Sequence, residues 1–219
     1  MPYLGYGTWC TELGREVKIS LAERDMISVA CGRRVQVDEV RRGVDRTVRE
    51  EGMATHLVII SDREPLAWVL RTQRMAFPAG RASTGLPAKG DQALLYTTRG
   101  CYRNTTRDRG RVMGLAVVTS PVKTLPKSVV FGERWFTSGC ALRVEGLAPV
   151  RDGVVLADLV PRLEVFPDER SWSVRMRRAS LSLPPADAEL LTRELRPLLA
   201  PRLERLADYT RGTEWHDGT

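Results

Sequence analysis

The sequence is poor in the residues that most often do chemistry. Its 219 residues include two histidines, His56 and His216, and four cysteines, Cys10, Cys31, Cys101 and Cys140. No two of the cysteines form a Cys-x-x-Cys pair, so the ligands for a structural zinc site are too few and too scattered. Free, reduced cysteines and no metal are expected. A P-loop, a dinucleotide glycine fingerprint and a Ser/His/Asp order are all missing. "REVKIS" contains the Glu16-x-Lys18 end of a metal-dependent nuclease motif, but only Glu12 precedes it, and "FPDER" lacks the lysine that should follow. Two histidines leave little for acid–base work. A non-catalytic protein without a cofactor is the expectation. Apolar runs fall far short of the roughly 20 residues that span a bilayer. Met1-Pro2-Tyr3-Leu4-Gly5 also lacks the basic-then-apolar order of a signal peptide. A soluble cytoplasmic protein follows as the default.

Lysine is scarce too. Of 34 basic residues only Lys18, Lys89, Lys123 and Lys127 are lysines, and the net charge is +7 with a pI near 9.6. Such a balance favours polyanions such as nucleic acid. Arginine forks suit phosphates and base edges, although a GC-rich genome also enriches arginine codons.

What is present is globular: 42% hydrophobic and 28% charged residues can build one domain of ordinary size with an extension. Residues 1–53 read as a helical extension. Ser20-Leu21-Ala22-Glu23 has capping-box spacing, with Ala22, Met26, Ile27 and Ala30 following at helical intervals. A second helix is expected after Asp38, with Val40, Val44 and Val48 on one stripe and Gly52 at its end. Joined at Gly32-Arg33-Arg34, the pair is either a DNA-reading helix-turn-helix or a packing and homodimerising hairpin.

The main domain is expected over residues 54–210, with 211–219 a flexible tail. His56-Leu57-Val58-Ile59-Ile60 is a continuous apolar strand that should be covered on both faces. Asp62 is placed to cap the next helix, with Pro65 in its first turn. That helix buries Leu66, Val69 and Leu70, while Trp68 lies off the stripe as either a second packing contact or a ligand surface. Residues 77–89 read as a loop. "KGDQALLYTTRG" then opens with a turn at Gly90-Asp91 and a short buried strand. Val112 to Thr119 is a strand with a bulge or bend expected at Gly114. Cys140, Leu142 and Val144 alternate with Ala141, Arg143 and Glu145. Ser171 to Met176 repeats the alternation, which would turn Arg175 and Arg177 outward together. A C-terminal helix from Pro185 carries Leu190, Leu191, Leu195 and Leu198, kinked or divided by Pro197 and Pro201. Strands wrapped with a few helices in irregular order indicate a small open barrel of the α+β class.

Four blocks in this order resemble the EVE domain of the PUA-like superfamily: "HLVIISDREPLAWVL", "KGDQALLYTT", "RVMGLAVVTSPV" and "RMRRASLSLPPADAELL". The likeness runs over about residues 54–199. It departs at Thr98, where serine is usual, and over the N-terminal extension, which has no counterpart in the minimal domain. The resemblance implies a PUA-like open β-barrel of five or six strands with flanking helices. It also implies nucleic-acid binding with a pocket for one flipped, modified base, by analogy with YTH and SRA readers. A modified cytosine or adenine in DNA is the expected ligand, in the setting of a bacterial modification-dependent restriction or defence system. The alternatives are an RNA-binding PUA-like module and a structural or regulatory partner whose pocket is unused. Tyr96, Thr97 and Thr98 would line the pocket mouth, with Trp68, Trp135 and Phe136 as further aromatics and Ser180 from the fourth block. Tyr96 as a core tyrosine stands beside that reading. Arg99, Arg103, Arg107, Arg109, Arg111, Arg175, Arg177 and Arg178 would hold phosphates.

Overall fold

The computed structural model describes residues 26–28, 34–36, 53–78, 86–106 and 108–213. The chain divides into two compact units, Met1–Gly52 and Met53–Thr219. In the first, β1 (Met26–Ser28) and β2 (Arg34–Gln36) pair antiparallel, with Ile27 opposite Val35. This corrects the expected helix through Met26 and Ile27. Ile27 and Val35 are β-branched, and their preference for extended backbone outweighs the helical spacing of a few apolar residues. The helix expected after Asp38, and any dimerisation through it, lie outside the described residues.

The second unit is a mixed α+β fold built on one curled, open sheet. Its strands are β3 (Thr55–Ile60), β4 (Arg74–Pro78), β5 (Gln92–Thr97), β6 (Arg111–Val118), β7 (Lys123–Phe131), β8 (Arg134–Leu147), β9 (Val154–Val155) and β10 (Ser180–Leu183). They run β10-β3-β5-β6-β8-β4, with β7 also on β8 and β9 on β6. Strands β3 and β5 are parallel, so the chain between them must cross over, and it does so through α1 (Arg63–Thr72) and β4.

The continuous apolar run of β3 is buried on both faces. Val58 and Ile60 join one core with Leu66, Leu70 and Phe77, whereas Leu57 joins another with Leu94, Tyr96 and Leu191. Helices α1 and α5 (Arg202–Thr210) lie beside each other, linked by Arg202 donating to the Leu70 carbonyl at 2.8 Å and Arg71 to the Thr210 carbonyl at 3.2 Å. With α2 (Leu156–Leu159), helix α4 (Pro185–Leu195) covers the other face. It ends where Pro197 forces a 3-10 turn, and Pro201 stands before α5.

The Lys89-Gly90-Asp91 turn ties the two parallel strands. Gly90 takes φ +100°, open to glycine but strained for other residues. Behind it the buried Asp91 carboxylate accepts from the amides of Ala54 (3.1 Å) and Ala88 (2.7 Å) and from Nε2 of His56 (3.0 Å). The bend expected at Gly114 is bracketed by register breaks. Leu95 faces Gly114 but Tyr96 faces Val112, and Leu115 faces Gly146 but Ala116 faces Val144. Met113 and Glu145 are thus unopposed, the extra residues that bend a ladder.

Phe77, expected in a loop, is in β4 and 2% exposed, because pairing with β8 buries its ring. Ser171 to Met176 is not a strand: Trp172–Arg175 form a single helical turn, α3, and Val174 is 55% exposed. Asp168 sets that turn by accepting from the Ser171 hydroxyl (2.6 Å) and the Arg170 amide (3.0 Å). The same two bonds hold its carboxyl below the ordinary range.

Cys101 and Cys140 are free and buried. Burial pushes the Cys101 thiol up to about 12, with the nearby Asp62 charge adding to it, and the Cys140 thiol up to about 11. An unfolded thiol ionises near ~8.5, so stability is intact below that pH and is lost as pH climbs towards the folded values. In a Cys10→Ser/Cys31→Ser variant, iodoacetamide at about pH 8 should leave the native thiols unmodified and alkylate both in urea. Prompt labelling of the native protein would contradict this burial. Among the described residues no helix is long and apolar enough to cross a membrane.

Candidate nucleic-acid interface

A concave site of about 430 Å³ opens between the end of β3, the start of α1, β4, the β7–β8 hairpin and the segment preceding β10. Its position follows from local rules. Strand β3 ends at Ile60, and Pro65 in the first turn of α1 needs no backbone donor. Asp62 occupies the N-cap, but its side chain makes no capping bond, a departure from the expected role. It accepts instead from the Ser61 hydroxyl at 2.8 Å and lies 3.5 Å from Arg134.

Trp68 faces this site. It is 4% exposed and meets Phe131 edge-to-face at 5.8 Å, and Phe131 meets Phe136 at 5.5 Å. With Phe77 these rings make an apolar wall. Phe131 and Phe136 reach it because β7 and β8 join through a two-residue turn, Gly132-Glu133, with Gly132 at φ +57°. Arg134, Arg177 and Arg178 are exposed at the rim, and among the described residues no carboxylate lines the cavity.

A second cavity of about 620 Å³ shares Thr98, Met176 and Arg177 with the first. Tyr96, Trp172, Asp108 and Gly110 line it, with Arg99 and Arg109 alongside. A further cleft of about 550 Å³ adjoins the first at Phe131, Arg134 and Phe136 and includes Arg103.

The structure therefore brings together Trp68, Thr98, Phe136, Arg177 and Arg178 of the residues singled out in the sequence. Tyr96 lies outside the first cavity, on the wall of the second. It is 3% exposed within the core, burial pushes its phenol up to about 12, and a Cβ on Gly110 would stand 1.9 Å from its hydroxyl. Thr97 is buried and its hydroxyl donates to the Arg111 carbonyl at 3.4 Å. Trp135 is 63% exposed and lines none of these cavities, because the hairpin alternation turns it away from Phe136. Ser180 is on β10 opposite Val58, one residue beyond the lining Ala179.

The arginines divide likewise. The Arg111 guanidinium donates to the Gly153 carbonyl at 2.8 Å, so its role is internal. Arg109 pairs with Asp158. Arg175 is exposed on α3 and lines none of the three cavities, since the strand that would have aligned it with Arg177 is a helical turn. Arg107 lies outside the described residues. Phe131, Arg134, Phe77 and Met176 went unrecognised as site residues. Phe131-Gly132-Glu133-Arg134 carries a hairpin-turn signal that would have located two of them. Among the described residues no group of three or more His, Cys, Asp or Glu side chains is placed to hold a metal ion.

No protein-family model matches the chain, and no curated protein does. Among solved structures it is similar to the NMR structure of Rpa0253 from Rhodopseudomonas palustris, a structural-genomics target. That match has 16% identity and a TM-score of 0.42, over 66% of this chain and 94% of the other.

Proposed function

We propose that residues 54–210 form an EVE-type, PUA-like domain that binds nucleic acid and takes one extruded, modified base into the aromatic cavity. The observation that carries this reading is a ligand-sized concavity with an aromatic wall, arginines at its rim and, among the described residues, no lining carboxylate. Each part has a task in that chemistry. Extruding a base from a duplex costs a few kcal/mol, and stacking on an aromatic returns about 1–3 kcal/mol. Arg177 and Arg178 follow one another beside the opening and can hold the phosphates that flank the base. The net charge of +7 supports a polyanionic partner.

Anisotropy titration of labelled DNA carrying one 5-methylcytosine or N6-methyladenine, against its unmodified counterpart and a structured RNA, tests the reading. Phe136→Ala should weaken binding of the preferred modified strand by about 5- to 150-fold. The exposed double change Arg177→Gln/Arg178→Gln should weaken modified and unmodified strands alike. Preference for structured RNA over every DNA would favour an RNA-binding module. Failure of all nucleic acids to bind would leave a structural partner protein.

A further inference from the structure

We infer that the second cavity receives the base adjacent to the one in the aromatic cavity, and that it selects a base bearing an exocyclic amino group. The inference rests on the nucleic-acid reading above, and its own support is separate. The two cavities adjoin at Thr98, Met176 and Arg177, so consecutive nucleotides of one strand can enter both. Met176 and Trp172 offer an apolar wall, and the Trp172 ring is fixed edge-to-face on Phe166 at 5.7 Å.

Asp108 supplies the selectivity. Its side chain is 3% exposed, and Oδ1 forms an ion pair with Nε of Arg151 at 2.9 Å. Oδ2 is buried and has no hydrogen-bond partner among the described residues. A buried carboxylate oxygen without a donor is costly, and because Asp108 lines this cavity, a side-chain rotation that brings Oδ2 to a ligand N–H removes the cost. Adenine, cytosine and guanine carry amino donors, whereas thymine and uracil place a carbonyl oxygen where adenine and cytosine have theirs. That oxygen would face the carboxylate and be repelled. The arrangement is held in place by the Asp108 amide, which donates to the Asn104 carbonyl at 2.7 Å. Arg99 and Arg177, both exposed on this cavity, offset the carboxylate against an incoming phosphate.

The test uses the full chain and short single-stranded DNAs with one 5-methylcytosine or N6-methyladenine. The neighbouring nucleotide, on the 5′ or the 3′ side, is adenine or purine, which is adenine without its amino group. Wild type should lose about tenfold in affinity for purine on one side. Asp108→Asn should reduce that discrimination to about threefold or less. Should Asp108→Asn fail to fold, Ser173→Trp fills the same cavity from an exposed position. It should abolish the neighbour effect while the modified base is still preferred. Equal affinity for adenine and purine on both sides, with the modified base still preferred, would overturn the second cavity and spare the first. Failure of every strand to bind would overturn both.

Discussion

Tyr96→Ala is expected to unfold the domain rather than blind it to its base. The side chain is 3% exposed and packs among Leu57, Leu94, Val112 and Leu191. Truncating a buried aromatic removes its transfer free energy and leaves a cavity, together about 3–5 kcal/mol. That is a large part of the 5–15 kcal/mol that typically holds a domain folded. Tyr96→Phe makes the opposite case. No hydrogen bond from the phenol oxygen occurs among the described residues, so removing it should cost less than about 1 kcal/mol. Urea denaturation of the two variants decides between these roles. A folded Tyr96→Ala protein with weakened base discrimination would show that Tyr96 stacks on a base.

Salt dependence gives the second large effect. Arg99, Arg134, Arg177 and Arg178 are exposed around the two adjoining cavities. Three or four phosphate contacts on a single strand give a slope of about −0.7 each in log affinity against log salt. Raising salt from about 50 to about 200 mM should therefore weaken binding about 20- to 50-fold. Arg178→Gln should lower the slope by about 0.7, whereas Arg175→Gln, outside both cavities, should leave it unchanged. Parity between those two variants would place the phosphate path elsewhere.

The sequence made much of the scaffold legible because the relevant signals were long or doubly determined. The apolar run of β3, the alternation along β8 and the prolines that end α4 each point to one structure. Short signals misled. Trp172, Val174 and Met176 alternate as a strand would, but Trp172 and Met176 also lie four apart, on one helical face. The Asp168 bonds to Ser171 and Arg170 decide for the turn, and such bonds compete with regular structure wherever they form.

The candidate site was half legible for a related reason. Trp68 stood out as an apolar residue off its helix stripe, and its second packing contact and its place on the cavity are both present. Phe131 and Arg134 depend on the hairpin returning over α1, a long-range arrangement that local pattern does not contain. Tyr96 follows the sheet instead. Its neighbours Leu95 and Thr97 alternate across β5, and Tyr96 falls on the face covered by α4 rather than on the face that carries α1.

Photocrosslinking tests the central claim most directly. A strand carrying 5-iododeoxycytidine in place of 5-methylcytosine, irradiated on the full chain, joins covalently to the aromatic side chain that its base touches. Mass spectrometry of the digest then names that residue. The account predicts crosslinks at Trp68, Phe131 or Phe136, lost on competition with the methylated strand and reduced at high salt. Crosslinks confined to Trp135, or to residues outside the cavity altogether, would contradict it.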